Sequence, residues 1–230
     1  MGLFDPSSHA GGPAPRSEAT DQPVIVVSGL PRSGTSMMMK ALEAGGITML
    51  TDNLRQADVD NPKGYYEFER VKKLPQGDIA WLAEARGKGV KVIAALLEHL
   101  QPDYTYRILF MQRTLPEILA SQKKMLARRG QDPDKVSDEE MARLFTQHVS
   151  QVKAWLARQP HMAVLDVDYN QMLAAPRPHL AAVNHFLGNV LDIDRMVAVV
   201  DQDLYRNRAD PPSAAVTPPP CPANVARPDL

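Results

Sequence analysis

Between an apolar run at 24–27 and a helix-like stretch opening on Met37-Met38-Met39 stand Ser28, Gly29, Leu30, Pro31, Arg32, Ser33, Gly34, Thr35 and Ser36. Residues of these types in this order can bind phosphate. Two glycines framing four residues let the chain turn tightly, so that successive backbone N–H groups converge on one anion. The helix behind them aims its unpaired N–H groups and the positive end of its dipole at the same point. Ser36 fills the hydroxyl position of nucleotide loops with this spacing, but Thr35 stands where an ATP- or GTP-binding loop carries lysine. The cation lies inside the loop instead, as Arg32. A guanidinium there offers a two-pronged fork to an oxyanion rather than a point charge.

Two further segments carry candidate groups. An apolar run at 106–111 leads to Arg113, then Pro116, then Ser121 eight residues after the arginine. Another at 162–167 leads through Asp166 and Asp168 to Tyr169 and, later, Phe186-Leu187-Gly188. With these residues the chain resembles the sulfotransferases that use 3′-phosphoadenosine 5′-phosphosulfate (PAPS). Pro31-Arg32-Ser33-Gly34-Thr35-Ser36 is similar to their Pro-(Lys/Arg)-Ser-Gly-Thr-(Thr/Ser) loop, in the arginine form of the tyrosylprotein sulfotransferases and many bacterial members. The resemblance spans about residues 23–190. It implies that Arg32, Ser33, Gly34, Thr35 and Ser36 hold the 5′-phosphosulfate, that Arg113 and Ser121 hold the 3′-phosphate, and that no metal is needed. The family's late Arg-Lys-Gly loop is not recognisable, although Arg206 and Arg208 stand in that region.

Sulfuryl transfer moves a singly charged group and needs less neutralisation than phosphoryl transfer, where Mg²⁺ and a loop lysine cover the phosphate oxygens. Arg32 would stabilise the charge that grows on the leaving phosphate. The acceptor, a hydroxyl or amine on a small molecule, glycan or peptide, must also lose a proton to a base. No histidine occurs between the loop and His99, so a carboxylate is expected. Glu67 is the first choice, because Asn61-Pro62-Lys63-Gly64-Tyr65-Tyr66-Glu67 resembles bacterial sulfotransferases and its glycine-aromatic turn can shape an acceptor pocket. Asp52 is the second, since its distance from Arg32 is close to that of the tyrosylprotein enzymes' glutamate. Lys91 either faces the transferred group or is exposed. For Glu67 and Asp52 the plain alternative is a surface carboxylate or helix cap.

These groups need a scaffold, and the pattern supplies one. Strands are expected at 24–28, 90–93, 106–111 and 162–167, and helices at 34–45, 115–129, 138–158, 178–188 and 193–201, with a short one ending near Leu100. Alternating strands and helices predict an α/β fold, a three-layer P-loop-type domain with a mostly parallel sheet, over 23–208. Ligands then bind at the carboxyl ends of the strands. Residues 1–22 and the proline-rich 209–230 read as disordered arms. The 26 basic and 27 acidic groups leave a formal charge of −1, so no global field favours nucleic acid or membrane. Cys221 is the lone cysteine, and no run reaches membrane-span length, which together lead us to expect a cytoplasmic protein. Two rival functions stay open: a small Mg·ATP-dependent P-loop kinase or hydrolase using Asp166 or Asp168, and a non-catalytic nucleotide-binding protein.

Overall fold

A computed structural model describes residues 22–52 and 66–200. Strand β1 (Val24–Gly29) leads into α1 (Thr35–Ala44), and β2 (Gly89–Lys91) follows two 3-10 helices at Glu69–Gln76 and Ala80–Ala83. A third 3-10 helix, Ala94–His99, precedes β3 (Tyr106–Gln112), α2 (Leu115–Arg128) and α3 (Asp138–Leu156). Then come β4 (Met162–Asp168), α4 (Tyr169–Ala174), α5 (Pro176–Phe186) and α6 (Ile193–Val199). Each strand expected from the sequence is present within three residues at either end. The 3-10 helices at 69–76 and 80–83 and helix α4 were not foreseen, because short single-turn elements carry little periodicity. The expected arms lie outside the described residues, save for Gln22, and so do 201–208 of the expected domain.

The sheet is wholly parallel, in the order β2-β1-β3-β4. A central parallel strand is covered on both faces and therefore reads as a continuous apolar run. All six residues of β1 are buried. Alternate side chains serve two cores. Val24, Val26, Tyr106, Ile108 and Phe110 pack with Trp81, Leu82, Leu97 and Leu156 on one face. Ile25, Val27, Leu109 and Met111 pack with Met38, Met39, Leu42, Met172, Val183 and Met196 on the other. Helices α1, α4, α5 and α6 thus cover one side, and α3 with the 3-10 helices covers the other. The methionine run after the loop is core.

Register fixes where the loops emerge. Gly29 pairs with Met111, Gln112 with Asp168, and Val27 with Lys91, so the strands' carboxyl ends lie level. From β1 the chain crosses by α1 to β2 on one flank. From β3 it crosses by α2 and α3 to β4 on the other flank. The connections part between β1 and β3, a switch point of the kind at which open α/β sheets bind ligands. The 29–34 turn and the 112–114 turn face each other across it.

Candidate functional site

The loop is shaped by its glycines. Gly29 has φ 143° and lies so close to β3 that a Cβ there would sit 2.6 Å from the Met111 carbonyl oxygen and 2.6 Å from Ser33 Oγ. The Ser33 N–H donates to the Leu30 carbonyl at 3.2 Å, which closes the turn and leaves Pro31 exposed. Arg32 adopts φ 72°, a left-handed conformation that is unfavourable for any residue with a Cβ. Gly34 follows at φ 99° and caps α1, whose first turn carries no acidic residue. No carboxylate of that turn offsets the positive end of the helix dipole.

Ser33 is fully buried, inside the loop rather than on its surface. Its hydroxyl and that of Ser28 have no hydrogen-bond partner among the described residues. Buried hydroxyls normally find one. Thr35 and Ser36 are half-buried at the start of α1.

The Arg32 Nε–H donates to Ser121 Oγ at 2.9 Å, across 89 residues of sequence. Arg113 Nη1–H donates to the carbonyl oxygen of Arg32 at 3.3 Å. Arg32, Arg113 and Ser121, assigned from the sequence to opposite ends of one nucleotide, thus form a single cluster at the switch point.

Two polar groups complete it that the sequence reading did not single out. Glu117 is 2% exposed, and its Oε2 accepts from Arg113 Nε–H at 2.8 Å. The Asn170 amide nitrogen lies 3.0 Å from both Glu117 carboxylate oxygens. Glu117 was findable, because it stands four residues after Arg113, where an opening helix turns one side chain back over the other. Asn170 gave no such signal. The Tyr169 ring lies under the Arg113 guanidinium, 4.6 Å from its centroid, and also fills the space that a Gly34 side chain would need. Burial raises the Tyr169 pKa above the ordinary phenol value, although Arg113 pulls it down, so the ring stays neutral.

The candidate bases stand beside β2. Thr51 Oγ1–H donates to the Glu67 carbonyl at 2.9 Å, and the Asp52 N–H does so at 3.3 Å, which pins Glu67 by its backbone. The Glu67 carboxylate lies 3.9 Å from Lys91 Nζ, at the end of β2. Lys91 is only 11% exposed, so it is not a solvated surface charge. Asp52 Oδ2 accepts from the Glu69 N–H at 2.6 Å, the first amide of a 3-10 helix, which is a capping position. Asp166 pairs with Lys153 at 2.9 Å, and Asp168 caps α4 through the Gln171 N–H at 2.9 Å. Among the described residues no group of three or more His, Cys, Asp or Glu could hold a metal ion, and no helix is long and apolar enough to cross a membrane. Residues 53–65, with the Asn61–Tyr65 part of the motif, and Arg206 and Arg208 lie outside the described residues.

No family model matches the sequence, and no curated protein matches it significantly. Among solved structures the chain is similar to the sulfotransferase domain from the Synechococcus PCC 7002 olefin synthase. That likeness has 14% identity and a TM-score of 0.47, and covers 85% of this chain and 91% of that one. A second likeness is to the sulfotransferase domain from the curacin biosynthetic pathway, at 14% identity and a TM-score of 0.45, over 83% and 93%. At these values neither bears on what the chain does.

Proposed function

We propose that the protein is a PAPS-dependent sulfotransferase acting on a hydroxyl or amine. The observation that carries this reading is the convergence of Arg32, Arg113 and Ser121 in one cluster beside a glycine turn that holds no lysine. The donor set suits the phosphates of a nucleotide. At Gly29 and Gly34 the turn is too closely packed to admit a side chain, the start of α1 carries N–H groups and the Thr35 and Ser36 hydroxyls, and two guanidiniums lie at its rim. The Mg·ATP reading has less support, because Thr35 replaces the lysine and Asp168 is occupied as a cap.

PAPS would supply an activated sulfuryl group whose S–O bond breaks as the acceptor attacks. Arg32 would turn from Ser121 to the 5′-phosphate and hold the electron pair that the broken bond leaves there. Thr35, Ser36 and Gly34 would orient the same phosphate, while Arg113 and Ser121 would hold the 3′-phosphate. Glu67 would take the acceptor's proton, with the Lys91 ammonium 3.9 Å away beside it. Asp52 is the second candidate for that role.

Titration calorimetry of adenosine 3′,5′-bisphosphate (PAP, what PAPS becomes once the sulfuryl group has left), AMP and Mg·ATP, with EDTA present for the first two, tests the reading. PAP should bind about 10- to 150-fold more tightly than AMP, the value of one charge-assisted contact. Arg32→Ala should abolish PAPS turnover and Arg32→Lys should retain a fraction of it. Equal affinity for PAP and AMP, or normal turnover in Arg32→Ala, would refute it.

A further inference from the structure

Glu117 is the one buried carboxylate among the described residues, and the proposed chemistry gives it no task. An ionised group is costly to bury unless it is paired and hydrogen-bonded, so its setting is informative. Three parts of the chain meet at it. Arg113 follows β3, Glu117 itself lies in the first turn of α2, and Asn170 lies in α4. The Asn170 amide holds both carboxylate oxygens, which fixes the plane of the carboxylate. The carboxylate in turn takes the Nε edge of Arg113, whose ring-facing side rests on Tyr169. With that edge fixed, Nη1 is directed at the carbonyl of Arg32, the loop residue with the left-handed backbone.

We propose that Glu117, oriented by Asn170, is a positioning residue for the phosphate loop: through Arg113 it holds the Arg32 peptide in its strained, ligand-ready conformation. A left-handed non-glycine residue persists only where its surroundings over-determine it. At Arg32 the Arg113 contact supplies that constraint from outside the loop. Glu117 is not itself a catalytic residue. Its effect passes through Arg113, and a preformed loop spares the ligand the cost of ordering it.

Two measurements on the full chain test this, and only one depends on the sulfotransferase reading. Amide hydrogen exchange of the 29–38 segment, without ligand, should accelerate about 10-fold in Glu117→Gln, which keeps the shape but weakens the grip on Arg113. Asn170→Ala should give a smaller acceleration of the same peptide, and exchange over residues 24–28 of β1 should be unchanged in both. The decisive variant is Glu117→Gln combined with Arg113→Met. If Glu117 acts through Arg113, the double variant exchanges no faster than Arg113→Met alone. Loop exchange at the wild-type rate in Glu117→Gln, or additive effects in the pair, would overturn the proposal.

The second measurement is the PAP-to-AMP affinity ratio, which rests on the function proposed above. It should narrow about 10-fold in Glu117→Gln, with AMP affinity changed less. A purely structural residue would lower the melting temperature and leave the ratio alone, and that result would also overturn the proposal. Should the wild-type protein bind PAP and AMP equally, the sulfotransferase reading fails, while the exchange data still decide the role of Glu117.

Discussion

Gly34→Ala is the sharpest single perturbation of this site. Two costs add. The backbone at Gly34 has φ 99°, and forcing an L-residue into the left-handed region costs about 1–2 kcal/mol. The new Cβ would also fall within the Tyr169 ring, 2.7 Å from Cε2 and 3.1 Å from Cγ. That ring has nowhere to go. It is 5% exposed and carries the Arg113 guanidinium on its face. Overfilling a packed site of this kind costs about 1–3 kcal/mol. The total is about 2–5 kcal/mol, read as a lowered urea midpoint at unchanged slope. Because displacing Tyr169 displaces Arg113, PAP affinity should fall as well. A second background separates the two terms. In Tyr169→Ala the ring is gone, so Gly34→Ala should there cost only the backbone term of about 1–2 kcal/mol. A Gly34→Ala protein within about 0.5 kcal/mol of wild type would refute the reasoning, since that is the scatter of neutral surface changes. An equal penalty in both backgrounds would refute the clash with Tyr169.

Other outcomes follow from the same geometry. Glu67→Gln should leave PAP affinity intact while turnover, followed as PAP release against the best acceptor found, falls about 10²- to 10⁴-fold; normal turnover would remove Glu67 as the base. Asp52→Asn should keep turnover within about 10-fold of wild type but lose about 0.5–2 kcal/mol of stability in urea, because its carboxylate caps the Glu69–Gln76 helix. Ser121→Ala should narrow the PAP-to-AMP ratio in calorimetry about 10-fold, and an unchanged ratio would take Ser121 out of 3′-phosphate binding. Stability should also fall at alkaline pH. Burial holds the phenols of Tyr66, Tyr106 and Tyr169 above their ordinary value of 10.0, so above about pH 10 the unfolded chain binds fewer protons than the folded one. The urea midpoint should be insensitive to these groups below that pH and drop above it, and Tyr106→Phe should drop less steeply.

The glycine turn ahead of α1 was legible from the chain alone because everything that makes it is local. Gly29 and Gly34 supply positive φ, the apolar 24–27 run forms a buried strand, and α1 begins at once behind them, so nine consecutive residues define the turn and the start of the helix. The parallel sheet was legible for a similar reason, since strands buried on both faces and separated by helical segments admit few other arrangements. The pairings were not. Nothing in the sequence says that Arg32 meets Ser121, that Asn170 reaches Glu117 across 53 residues, or that Tyr169 lies beneath Gly34. Nor could it tell Asp52, drawn into a cap, from Glu67, set against Lys91. Those outcomes depend on strand order and register, which bring the ends of β1 and β3 level and set Asn170 of α4 within reach of Glu117 of α2. Burial then decides which carboxylate must be paired: Glu117 became part of the site because the fold removed its water.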